Sequence, residues 1–293
     1  MAQTYEKIRA EFHAGDVKRD EGLTTPDDIE RFDDIKYGEE SELQVLDVYR
    51  PRAAKGQKLP VIMNVHGGAW VYGNKEVYQY YCMSLAQKGF AVVNFSYRLA
   101  PEWKYPCMVE DTNTVVHWIL EHAQEYDFDT EHFFAVGDSA GAQLLAVYSC
   151  ICTNPEYAST YQFEPPEGFC PTAVALNCGA YYFRRGGDTM DDGILKVLLP
   201  NGGTKEEELW ITIAPYVTEK FPPAYVMTCS DDFLKEGGPF LTKVLTQNNV
   251  PNTFRFYGDN KKLLPHVFHC DIRDKDAQKC NEDECNFFKE FLD

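Results

Sequence analysis

Gly137-Asp138-Ser139-Ala140-Gly141 sets a serine hydroxyl between two glycines, after the apolar run Phe133-Phe134-Ala135-Val136 and before the helical pattern 142–152. Strand, sharp turn and helix with a serine at the apex make a G-x-S-x-G nucleophile elbow. Such a turn holds the serine backbone strained, and a side chain at either flanking glycine would strike strand or helix. The helix behind it aims its positive end at the reacting centre. A serine hydroxyl is a weak nucleophile, so it needs a base, and the base needs an acid that fixes its tautomer. Downstream, Asp231-Asp232 follow an apolar run, and His266 and His269 follow the last one. Nucleophile, acid and base thus occur in the order that goes with this elbow. Either aspartate fits the acid, and either histidine the base. Acyl transfer also needs donors aimed at the oxyanion. His66-Gly67-Gly68-Ala69 ends an apolar run upstream of the elbow. Its Gly67 and Gly68 N–H groups, with that of Ala140, are the expected donors.

The elements that must hold these groups follow from hydropathy. The short apolar runs 61–65, 90–95, 133–136, 173–178 and 224–229 read as strands buried on both faces. Helical patterns at 76–88, 109–125, 142–152 and 240–248 separate them, and a helix from about Asp276 to Leu292 closes the chain. Strands 33–38 and 43–50 read as an antiparallel pair. Residues 1 to about 30 read as a short helix and a loop, with core spacing at Ile8, Phe12 and Val17. The alternation predicts one α/β domain over residues 1–293, a mostly parallel sheet with helices on both faces. Polar sites then belong at the C-terminal ends of the strands, where all the candidates fall.

Composition narrows the function class. The chain has 293 residues, 44% hydrophobic and 14% aromatic, with 46 acidic residues against 28 Lys and Arg, for a net charge of −18. That surface repels phosphate backbones and anionic bilayers, so neither nucleic acid nor membrane is an expected partner. No apolar run reaches the roughly 18 residues of a membrane span. The first residues carry no apolar signal segment, and the ten cysteines are dispersed. A cytoplasmic protein with reduced, buried thiols such as Cys82, Cys150, Cys178 and Cys229 is the expectation. No cysteine or histidine pairing has zinc-site spacing, so no metal or cofactor is expected. Oligomeric state, including a homodimer, stays open.

Three motifs in order, His66-Gly67-Gly68-Ala69-Trp70, Tyr97-Arg98-Leu99-Ala100-Pro101-Glu102 and Gly137-Asp138-Ser139-Ala140-Gly141, resemble the hormone-sensitive-lipase-like α/β-hydrolase carboxylesterases from about Leu43 onward. The family's D-x-L segment matches Asp232-Phe233-Leu234, favouring Asp232 over Asp231. Its H-x-F segment matches His266-Val267-Phe268, favouring His266 over His269. Ala69 stands where the third loop glycine is usual, Phe233 where proline is usual, and Pro265 directly before His266 is also a departure. The resemblance implies a cap built from about residues 1–38 and 180–220. In the second stretch Gly186, Gly187 and the patch Ile194 to Leu199 suit either a lid or a packed helix. It implies structural roles for Arg98 and Glu102 in a buried ion-pair scaffold. Trp70, Tyr72, Tyr181 and Tyr182 follow strands that end at the site and are the expected substrate-binding residues. The expected activity is serine carboxylesterase hydrolysis of small-molecule short-chain acyl esters, acetylated sugars among them, through Ser139, Asp232 and His266. Amide hydrolysis on the same fold is the main alternative, and a silent ligand-binding receptor a lesser one.

Overall fold

The structure is a computed structural model that describes residues 4–181, 183 and 190–292. Its strands are β1 (Ile29–Lys36), β2 (Val45–Pro51), β3 (Leu59–Val65), β4 (Ala91–Phe95), β5 (Phe128–Asp138), β6 (Ala173–Asn177), β7 (Ala224–Cys229) and β8 (Asn252–Tyr257). They form one eight-stranded sheet in the order β1-β2-β4-β3-β5-β6-β7-β8. β1, β2 and β4 pair antiparallel, and β4 through β8 pair parallel. The helices are α1 (Tyr5–Asp20), α2 (Lys75–Ala86), α3 (Cys107–Glu121), α4 (Ala140–Thr153), α5 (Pro155–Ala158), α6 (Met190–Leu198), α7 (Lys205–Ile211), α8 (Gly237–Gln247) and α9 (Lys275–Lys289).

The uninterrupted apolar strands are buried because each face of the sheet has its own core. Val61, Met63 and Val65 of β3 join one cluster with their register partners Ala91, Val93 and Phe95 of β4, under α3, α4 and α8. Ile62 and Val92 point the other way, into the cluster under α2 and α9. Leaving such side chains in water would forfeit roughly 1.5–3 kcal/mol each. Among the described residues no helix is long and apolar enough to cross a membrane.

Two local expectations change, and sequence leaves a third point open. The N-terminal helix is longer than its apolar spacing indicates: α1 runs 16 residues, starting from Thr4, whose Oγ1 accepts the Lys7 N–H at 3.4 Å. Ile8 is buried and Phe12 packs edge-on to Tyr72, but Val17 is 58% exposed. Arg98 and Glu102 do not pair with each other. Arg98 lies among Glu40, Glu110 and Asp111, whereas Glu102 holds Arg9 of α1. Glu102 therefore ties the N-terminal helix to the β4–α3 loop. In the 180–220 stretch Ile194, Leu195, Leu198 and Leu199 are buried in the larger core cluster, while Gly186 and Gly187 lie outside the described residues.

Candidate active site

The elbow follows directly from β5. Ser139 has φ 52° and ψ −118°, and its N–H donates to the Asn177 carbonyl at the end of β6, 2.9 Å away. The flanking glycines are forced by space. A Cβ on Gly141 would lie 2.0 Å from the Val65 carbonyl oxygen, and one on Gly137 would lie 2.7 Å from that of Gly141. The serine stands just ahead of α4, whose first N–H groups face the reaction centre.

His266 comes from the loop after β8. Its Nδ1–H donates to Asp232 Oδ1 at 2.6 Å, which leaves Nε2 to accept from the Ser139 hydroxyl at 3.0 Å. Asp232 sits beyond β7 with its carboxylate fully buried. Three donors hold it: His266, the Leu234 N–H at 2.8 Å and the Thr228 hydroxyl at 2.6 Å. Burial works against its charge, but the hydrogen bond and charge of His266 outweigh it, keeping Asp232 below the usual carboxylate range. Of the two pairs left open by spacing, Asp232 and His266 are the members hydrogen-bonded in line with Ser139. Asp231 is exposed, with its backbone bridged to Pro265. His269 is buried edge-on to Tyr81, and burial pushes its pKa down to about 3, so it stays neutral.

The loop after β3 departs from expectation at one glycine. The Gly67 N–H, expected as an oxyanion donor, donates instead to Tyr78 Oη at 3.0 Å and Asp138 Oδ1 at 3.1 Å. Among the described residues the N–H groups of Gly68, Ala69 and Ala140 have no hydrogen-bond partner. Ala69, which sequence marks only as standing where a third loop glycine is usual, has φ 51° and Trp70 has φ 59°, so two left-handed residues reverse the chain there. Gly68, at φ 119°, is irreplaceable for a second reason, since its Cβ would fall 2.0 Å from the Tyr72 carbonyl oxygen. Asp138 is fully buried, and desolvation pushes it up to about 6 against the hydrogen bonds from Tyr78 and Gly67. His66 is buried and held neutral, pushed down to about 4, and stacks on Tyr97 at 3.9 Å.

A cleft of about 280 Å³ opens over Ser139 and His266. Its walls combine the His266 loop (Pro265, Val267), Phe233 and α1. The Phe233 ring lies 4.3 Å from the imidazole, in the place where proline is usual. Of the expected substrate residues, Tyr72 lines this cleft. Trp70 does not: it is buried, donates to Gln143 Oε1 at 3.1 Å and packs near Phe183. Tyr181 is buried and folds back over Gly179. Tyr182 lies outside the described residues. α1 lies within residues 1–38, the first stretch expected to cap the site, but sequence singles out neither Asp16 nor Arg19, which line the cleft. Cys178, Cys229 and Asp232 offer ligand atoms within 4.8 Å of one another. Those atoms are otherwise engaged: Cys229 Sγ donates to the Pro265 carbonyl, Asp232 accepts its three donors, and burial keeps the Cys178 thiol protonated.

Residues 46–234 match the BD-FAE family model. Among curated relatives, versiconal hemiacetal acetate esterase of Dothistroma septosporum is 25% identical over 238 residues, covering 75% of this chain and 70% of that protein. Esterase LipC of Mycobacterium tuberculosis is 32% identical over 148 residues, half of this chain but only 35% of that longer protein. The solved structure of esterase B from Lactobacillus Rhamnosis superposes with a TM-score of 0.88 at 23% identity, over 98% of this chain and 93% of that one, a likeness of fold. The chain belongs to the BD-FAE family, whose model matches more than half of it, and it has the fold of the α/β-hydrolases.

Proposed function

We propose that this chain is a serine esterase that hydrolyses short-chain acyl esters of small alcohols through an acyl-enzyme. The observation that carries the reading is the continuous hydrogen-bonded line Ser139–His266–Asp232 at the floor of a cleft. Ser139 Oγ attacks the ester carbonyl carbon while His266 Nε2 takes its proton. The carbonyl oxygen becomes an oxyanion within reach of the Gly68, Ala69 and Ala140 N–H groups, which need no reorientation to receive it. Collapse expels the alkoxide, which takes the proton back from His266 and leaves as the alcohol. A water molecule then attacks the acyl-serine by the same route, and Ser139 recovers its proton. Asp232 stays ionised throughout, fixing the imidazole tautomer and stabilising the imidazolium.

In this reading α1 and the 180–220 stretch form the cap, and the unpaired cysteines suit a reducing cytoplasmic setting. The name of the versiconal relative, an acetate esterase, supports a short acyl group. The test is hydrolysis of p-nitrophenyl esters from acetate to laurate, with Ser139→Ala as control. The expected result is a maximum at acetate or butyrate and a fall of about 10⁶ in kcat for the variant. Equal turnover by the variant refutes the nucleophile. No turnover of any ester by folded wild-type protein, with cleavage of a matched anilide, makes it an amidase instead.

A further inference from the structure

α1 presents one stripe to the cleft, Phe12, Gly15, Asp16 and Arg19, at the spacing of adjacent turns. The stripe is polar where it meets Tyr72. Asp16 Oδ1 accepts from Arg19 Nη1 at 2.8 Å, and Asp16 Oδ2 accepts from the Tyr72 hydroxyl at 2.9 Å. Arg19 is occupied elsewhere as well, by Asp20 Oδ1 at 2.7 Å, Asp20 Oδ2 at 2.8 Å and the Val77 carbonyl at 2.6 Å. Four of its five N–H groups are thus held by the protein. Beside it Asp16 and Tyr72 offer acceptors: each Asp16 oxygen has a lone pair left after one hydrogen bond, and so has the Tyr72 oxygen. Gly15, next to them, leaves space, since a Cβ there would meet nothing within 4 Å. Helical glycine costs about 1 kcal/mol relative to alanine, and no contact requires it here.

The chemistry assigns this wall to one end of the substrate. The leaving oxygen must reach His266 Nε2 to be protonated, and the His266 loop forms the same cleft as α1. With its leaving oxygen at His266 Nε2, the ester has Asp16 within the same cleft as its alcohol part. We propose that Asp16, braced by Arg19 and Tyr72, is a specificity-determining residue that selects esters whose alcohol part carries a hydrogen-bond donor, and rejects those whose alcohol part is anionic. The proposal rests on the esterase reading above. A donor could come from a hydroxyl or from an ammonium group, and Asp16 serves either. A carboxylate there would meet the Asp16 carboxylate, with Arg19 already engaged by Asp16 and Asp20, which disfavours it. The cleft's volume, at the small end of the roughly 300–1,000 Å³ of small-molecule sites, suits an alcohol of a few heavy atoms.

The test holds the acyl group constant and varies the alcohol. Acetates of glycerol, of protonated 2-(dimethylamino)ethanol, of butanol and of 3-hydroxypropanoate are compared by kcat/KM. Wild-type protein is expected to prefer the glycerol or the amino ester over butyl acetate by about 10-fold or more, the worth of one hydrogen bond to a charged group, and to turn over the carboxylate ester slowest. In Asp16→Asn the preference should fall toward one and the carboxylate ester should gain relative to butyl acetate. A preference for glycerol alone identifies hydroxyl recognition, and a preference for the amine alone identifies charge recognition. Ratios within one protein are unaffected by the fraction correctly folded. Should Asp16→Asn not fold, Tyr72→Phe, which removes one hydroxyl, should move the same ratios the same way. Equal ratios in wild type and variant overturn the proposal. p-Nitrophenyl acetate turnover that depends on Ser139, together with such equal ratios, sinks the subsite and leaves the esterase standing.

Discussion

Glu284 offers a stability prediction whose size follows from the structure. It lies on α9, fully buried beneath the elbow. Asn177 Nδ2 donates to its Oε2 at 2.6 Å and the Tyr81 hydroxyl to its Oε1 at 2.8 Å. The same Asn177 supplies the carbonyl that holds the Ser139 N–H. Burial raises the Glu284 pKa from 4.5 to about 7, against the two hydrogen bonds, and no cation is among the causes. The folded state therefore keeps a proton that the unfolded chain gives up above pH 4.5. The stabilisation is whole below pH 4.5 and is lost as pH rises to about 7, beyond which both states are ionised. The rise from 4.5 to about 7 corresponds to about 3 kcal/mol, at 1.36 kcal/mol per pH unit. Glu284→Gln keeps the shape and both partners, because the Tyr81 oxygen can accept from the new amide. The variant should gain on wild type by about 3 kcal/mol between pH 4.5 and 7, and no further above that. Taking about 2.1 cal/mol/K per residue for the entropy of unfolding, the difference in Tm should widen by about 5 °C between pH 4.5 and 7.5. Melting curves of both proteins at half-unit pH intervals read this directly. A difference that stays constant with pH refutes the reasoning, and one that moves in wild type's favour as pH rises shows an ionised, stabilised Glu284.

Two further predictions separate the neighbours at the site. Asp232→Asn should lower kcat about 10⁴-fold, whereas Asp231→Asn, whose side chain is exposed, should stay within about 3-fold; steady-state kinetics of the two variants decides, and the reverse ranking overturns the assignment. Gly68→Ala would drive a Cβ to 2.0 Å from the Tyr72 carbonyl and displace the oxyanion loop. Its kcat should fall about 10²–10³-fold, and affinity for a trifluoromethyl ketone transition-state analogue should fall with it while KM changes little.

What could be read beforehand was whatever depends on local pattern. The buried strands read as apolar runs, and the elbow as glycines on either side of a serine. What could not be read depends on partners far away in sequence. Gly67 looks like a donor until Tyr78, eleven residues on, and Asp138 claim its N–H. Glu102 looks like a partner for Arg98 until α1 brings Arg9 across 93 residues. Asp16 and Arg19 sit among charges on a polar helix, and nothing in a 3.6-residue period distinguishes a charge facing solvent from one facing a cleft. Asp232 and Asp231 differ only in the direction the chain takes after β7. Thr228 and Leu234 hold the one inward, and the bridge to Pro265 leaves the other outside.

Backbone strain is the other thing a pattern does not carry, and its distribution is itself an argument about the site. Among the described residues eight non-glycine residues have positive φ, and five of them, Ala69, Trp70, Ser139, Cys178 and Val267, lie in the segments that follow β3, β5, β6 and β8 around the serine. Such residues cost roughly 1–3 kcal/mol each; Val267, at φ 53° and ψ 32° directly after His266, is a β-branched residue in the left-handed region, and Ser139, at ψ −118°, lies outside even that region. Such conformations persist only where the surroundings over-determine them. Here the surroundings are the closely packed floor beneath: Gly141 against the Val65 carbonyl, Gly68 against that of Tyr72, and the carbonyl of Asn177 on the Ser139 N–H. The reversals bring Gly68, Ser139 and His266 together on one cleft, which regular strands could not do. The geometry of the candidate site is thus set by the core under it, and substitutions that loosen that packing should lower kcat before they unfold the chain.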